Sequence, residues 1–188
     1  MRAVGLALVL ALAFAWAGAA PAGAKVFMSK AEALAWAFPE ADRVEDRSYV
    51  LDDAQAAAIE ARAKAKLESR LVTVYTGRKG DAVLGYAFID QHVVRTLPEA
   101  FLVVLSPEGE VRRLRVLAFH EPQEYKPSDR FLAQFEGKQG DAPLRLARDV
   151  HGIAGATLSS QAVTGGVRRV LALHDVLVRQ PLLAQHRP

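Results

Sequence analysis

A chain of 188 residues, 51% hydrophobic and 24% charged, has apolar material for one core and too little length for two full domains. Its formal charge of +3 is spread without any run of five or six like charges, so charge points to no nucleic-acid partner. The absence of cysteine excludes disulfide scaffolds, thiolate catalysis, Cys-ligated zinc and iron–sulfur clusters, and leaves an organic cofactor as the only carrier of redox chemistry. The five histidines, His92, His120, His151, His174 and His186, have no spacing that places two on one helix face, and no metal site is expected.

The first element is a leader. Arg2, an apolar stretch from Ala3 to about Ala20, and Ala22-Gly23-Ala24 read as a secretory signal over residues 1–24, cut after Ala24. The same 18 apolar residues are just long enough for an uncleaved anchor. Cleavage predicts a periplasmic protein, and an anchor one held at the inner membrane. Residues 25–70 read as an N-terminal helical extension. Ser29 three residues before Glu32 forms a capping box for a short helix, with Leu34 and Phe38 on one face and Pro39 as its stop. A brief strand ends near Leu51, Asp52 or Asp53 then caps an Ala-rich helix, and its small side chains predict close packing on a neighbour.

From residue 71 to 188 the chain reads as one domain. "RLVTVYT" and "AVLGYAFID" form a hairpin about the turn residues Gly77 to Asp81, and "FLVVLS" and "VRRLRVLAF" a second hairpin about Pro107-Glu108-Gly109. Ser128 caps a short helix carrying Phe131, Leu132 and Phe135 inward, with Gly137 as its stop. A last helix runs from about Ser160 to Val178, its broad apolar face interrupted by Gly165 and Gly166, which implies something close to that backbone. Strands in runs, flanked by helices without strict alternation, predict an α+β fold with a mostly antiparallel sheet of about four or more strands.

Between the two last helices lies "HGIAGATLSSQAV". Gly155 and Ala156 followed by Thr157, Leu158, Ser159 and Ser160 suit a helix entry, a phosphate cradle or a covalent attachment point. The stretch lacks the Lys of a P-loop, the spacing of a dinucleotide fingerprint and the second Gly of a nucleophile elbow. Gly77-Arg78-Lys79-Gly80 formally matches an RNA-binding GXXG loop, but its place between two strands makes it a hairpin turn.

"GIAGATLSS" resembles the flavin-attachment motif, S/T-G-A-T-x-S/T, of the FMN-binding domain found in flavinylated subunits of sodium-pumping NADH:quinone reductases and Rnf electron-transport complexes. "LGYAFID", "PEGEVRRLRVLAFHEPQEY", "RFLAQFEGK" and "GVRRVL" resemble successive blocks of the same domain, over about Leu71 to Val178, and "HEPQEY" and "FLAQFEGK" are similar to its periplasmic members. The resemblance implies FMN held by a phosphoester to Thr157, a flavin transferase that moves FMN from FAD onto that hydroxyl with a divalent metal, and membrane-bound or soluble redox partners. It implies an electron carrier rather than an enzyme with its own substrate. Gly155, Ala156, Leu158, Ser159 and Ser160 would surround the phosphate, with Glu121 and Tyr125 beside the ring. Alternatively Tyr125 caps the core edge and Glu121 pairs with an arginine. His151 and Ala154 depart from the family pattern, which has Asp and Ser or Thr there. They leave open a noncovalent or sensory flavin module, or a structural subunit whose GATLSS is only a helix cap.

Overall fold

The computed structural model describes residues 25–94, 96–140 and 142–185, and the expected leader therefore lies outside the described residues. The chain forms β1 (Lys25–Val26), α1 (Lys30–Ala37), β2 (Arg43–Val50), α2 (Asp53–Ala63), β3 (Leu71–Lys79), β4 (Ala82–Val93), β5 (Pro98–Leu105), β6 (Val111–Phe119), α3 (Asp129–Leu132), α4 (Thr157–His174) and α5 (Gln180–Gln185). The six strands make one antiparallel sheet in the order β1-β6-β5-β4-β3-β2. The arrangement is α+β, as the pattern of elements predicts. Segment 25–70, read as a helical extension, also supplies both edge strands of this sheet. A two-residue strand has no periodicity to read, whereas β2 is the strand expected to end near Leu51, and it pairs along its whole length with β3. Among the described residues no helix is long and apolar enough to cross a membrane.

Both sheet faces are covered, and the central strands are accordingly apolar at consecutive positions. Phe88 of β4, Phe101, Val103 and Leu105 of β5, and Val111, Leu114 and Val116 of β6 face Val163, Val167, Val170 and Leu171 of α4 and Ile59 of α2. Ala87, Leu102, Val104 and Leu117 face the opposite way, under Ala33, Ala37 and Phe38. The buried stripe of α1 is thus Ala33 and Ala37, with Leu34 only half-buried. The Ser29–Glu32 and Asp52–Gln55 capping boxes both form. Gly77 lies within β3 rather than in the turn, because the Phe38 ring occupies the space of its side chain: a Cβ there would stand 2.4 Å from Cδ1. The hairpin turn is then Gly80-Asp81, and the GXXG match is strand plus turn.

The last helix begins at Thr157, three residues earlier than the sequence suggests, and helical structure continues to Gln185 through a widened π turn at Asp175–Arg179. Pro181 supplies the reason for the widening. Its ring has no amide to donate and collides with the carbonyl four residues back in a regular α-turn, and a wider turn relieves that collision. Gly166 answers what lies close to the helix: a Cβ there would be 2.4 Å from Phe101 Cζ and 2.7 Å from Asp90 Oδ2. Tight packing on the sheet, not a ligand, fills that space.

Candidate functional site

The loop entering α4 is fixed before the helix begins. Gln134, just beyond α3, accepts from His151 N at 2.8 Å through its amide oxygen and donates to His151 O at 3.0 Å through Nε2. The Ser160 hydroxyl accepts from Ile153 N at 2.9 Å and donates to Ala156 O at 2.9 Å. Gly155 has a φ of +77°, in the region only glycine adopts without strain, and no atom lies within 4 Å of where its Cβ would be. Space beside the helix start is therefore open.

Ala156 is the N-cap and provides no side-chain cap. The first intrahelical bond is Ser160 N to Ala156 O, at 3.0 Å, so helix geometry gives the amides of Thr157, Leu158 and Ser159 no acceptor within the helix. These three amides lie upstream of those that a helix start near Ser160 would leave free. The hydroxyls differ in exposure. Thr157 is exposed, whereas Ser159 and Ser160 are buried and the Ser160 hydroxyl is already engaged twice.

A concavity of about 180 Å³ lies against this helix start, lined by Val94, Glu121, Tyr125 and Gly155, Ala156, Thr157, Leu158 and Ser159. The structure thus brings seven of the eight sequence-predicted positions to one place. Ser160 stands outside the lining and supports it from below. Val94, which the sequence reading misses, completes the wall; nothing in a strand-end valine marks it. Glu121 is buried, and its Oε1 accepts from the amides of Thr96 and Leu97 at 3.1 and 3.2 Å. It holds the β4–β5 loop against the site. Tyr125 closes a 3₁₀ turn, Gln123–Tyr125, and packs half-buried on the main core.

Beneath the β4–β5 loop sits a charged cluster hidden from sequence reading. His92, next to the last residue of β4, is buried, with Nδ1 2.8 Å from Asp90 Oδ2 and Nε2 2.6 Å from Glu99 Oε1. Arg169 of α4 donates to the same Asp90 carboxylate through Nε at 3.0 Å and Nη2 at 2.7 Å. Burial opposes the charge on His92, but its hydrogen bonds to Asp90 and Glu99 outweigh burial and raise its pKa to about 9. Asp90 is likewise opposed by burial and nevertheless held below the usual carboxylate range by His92 and Arg169. His174 shows the converse. Burial pulls its pKa down to about 4, its ring lies 5.1 Å from that of Tyr86, and its Nε2 has no hydrogen-bond partner.

The donor set suits a flavin phosphate: three amides at the positive end of an 18-residue helix, an exposed hydroxyl among them, and open space at Gly155. No curated protein matches the chain. Residues 98–172 match the family model of the FMN-binding domain, a span that runs from β5 almost to the end of α4 and includes every site position except Val94. The match identifies residues 98–172 as an FMN-binding domain and indicates FMN as the cofactor.

Proposed function

We propose that this protein is an extracytoplasmic electron carrier whose FMN is joined by a phosphoester to Thr157. The observation that supports it is the division of the hydroxyls: Thr157 stands exposed at the helix start, while Ser159 and Ser160 are buried. In the attachment reaction the Thr157 hydroxyl oxygen bonds to the phosphorus on the FMN side of FAD as the bond to AMP breaks. The hydroxyl proton is lost to base, and no electron changes hands. The flavin transferase and its divalent metal supply that chemistry. Thr157 to Ser159 then donate their amides to the phosphate, and the helix end favours its charge.

The size of the concavity supports a tether. At about 180 Å³ it is below the 300–1,000 Å³ of pockets that enclose a small molecule, so it holds part of a flavin and leaves the rest open. Bound FMN would supply one- and two-electron transfer, and Glu121, Val94 and Tyr125 would form the wall beside it. An open site suits exchange with large redox partners, membrane-bound or soluble, and a leader over residues 1–24 would place it in the periplasm. The mature chain, produced with and without a flavin transferase and then denatured, is expected to retain flavin by intact mass and in-gel fluorescence only in the first case. Thr157→Ala is expected to abolish that signal. Flavin released on denaturation would instead favour a noncovalent module.

A further inference from the structure

We propose that Asp90, His92, Glu99 and Arg169 form a positioning cluster that fixes where Thr157 stands relative to the opposite wall of the flavin site. The inference rests on the site reading above but concerns residues outside it. Two elements build that site, the start of α4 and the β4–β5 loop, and the cluster holds both. Arg169 stands twelve residues, about 18 Å, along α4 from Thr157. Its guanidinium grips Asp90 of β4 through two nitrogens. His92 bridges Asp90 to Glu99 of β5 and so staples the two strands at the base of the loop. Val94 follows His92 by two residues, and Leu97, whose amide Glu121 binds, precedes Glu99 by two.

The apolar contacts of α4 do not define its position as sharply. Val163, Val167, Val170 and Leu171 form a stripe of similar aliphatic side chains, which packs acceptably after a small slide or rotation. A forked guanidinium–carboxylate contact has one geometry, and displacing it would strand a buried charge. Gly166 sharpens this constraint, because its bare backbone admits Phe101 and Asp90 at a distance no other residue permits. Two carboxylates against one guanidinium and one imidazolium leave the cluster electrically balanced, which offsets the cost of burying its charges. Such buried networks are more often a source of registry than of stability.

The chain has no cysteine, which makes spin labelling direct. In the mature full-length chain, labels at Gln161→Cys on α4 and Asp46→Cys on β2, both exposed positions, report the place of the helix start without any flavin. The parent cluster is expected to give one narrow distance distribution. The Asp90→Leu/Arg169→Met pair removes opposite charges together, and is expected to broaden the distribution or displace it by up to about one helical turn, 5.4 Å. Arg169→Lys keeps the charge but loses the fork, and is expected to broaden it less; it serves as the test should the apolar pair fail to fold. A parent-like distribution in a folded variant overturns the proposal. After loading by a flavin transferase, the variants are further expected to show an altered flavin midpoint potential or incorporation. Unchanged values in both, beside a flavin-bearing parent, also overturn it. A parent that takes up no flavin defeats the site reading alone, and the distance measurement still decides the cluster.

Discussion

At the residue scale, three hydroxyls within four positions look alike in sequence and are made unequal by the helix start. Thr157 faces out, and Ser160 is turned inward to close the loop that precedes it. Ser160→Ala is therefore expected to lower stability by about 1 kcal/mol, because it strands the part-buried Ile153 amide. Urea unfolding measures this, and a loss below the error of the midpoint would show that water replaces the hydroxyl. Gly166→Ala is expected to cost about 1–3 kcal/mol for a different reason, overlap with Phe101 and Asp90. Gly155→Ala meets no atom, so its cost comes from the positive φ alone, about 1 kcal/mol or somewhat more. A larger cost at 155 than at 166 would contradict the packing described for α4. The residues around Thr157 were legible from small side chains and a recognisable motif. His92 was not, since "IDQHVV" shows Asp90 two positions away on the same strand but no sign of Glu99 on β5 or Arg169 on α4, which complete the cluster.

At the element scale, local signals predicted well wherever the determinant was itself local. Capping boxes, the Ser128 cap, the two hairpins and the Ala-rich helix all form, because each depends on residues a few positions apart. The boundaries of α4 were missed at both ends for physical reasons. At its start, small residues and hydroxyls suggest a cap within the run, whereas the loop anchored by Gln134 and Ser160 delivers the chain in helical geometry already at Thr157. At its end, the apolar pattern stops at Val178, yet the π turn at Asp175–Arg179 carries helical structure past Pro181 to Gln185. Asp175 steadies that turn, accepting from Arg179, from Gln180 Nε2 at 3.0 Å and from Arg62 Nε of α2 at 3.1 Å. Asp175→Ala is expected to speed hydrogen exchange in 175–185 with little change near Thr157. Faster exchange at 157–161 to the same extent would mean that the helix opens as one unit.

At the scale of the whole molecule, two buried histidines set opposite limits on stability. His92 has a folded pKa of about 9 against 6.5 in the unfolded chain, so its contribution is complete below pH 6.5 and is lost as pH rises to 9. His174, at about 4, is buried neutral, so stability falls as pH drops from 6.5 to 4. Each limb is on the order of 3 kcal/mol by linkage, and together they place the stability maximum near pH 6.5. Thermal unfolding across pH 4 to 9 tests this, and His174→Leu is expected to flatten the acid limb selectively. An unchanged acid limb in that variant would assign it to carboxylates instead. The sequence by itself determined what adjacent residues can settle: the α+β class, the caps and hairpins, and the motif that carries Thr157. The tertiary structure decided what depends on residues far apart in the chain. It placed Val94 and Glu121 opposite the helix start, turned two of three hydroxyls inward, and gathered four charged groups from β4, β5 and α4 in one buried cluster. Periodicity reports which face of an element is apolar; it does not report which polar group waits on the element packed against it.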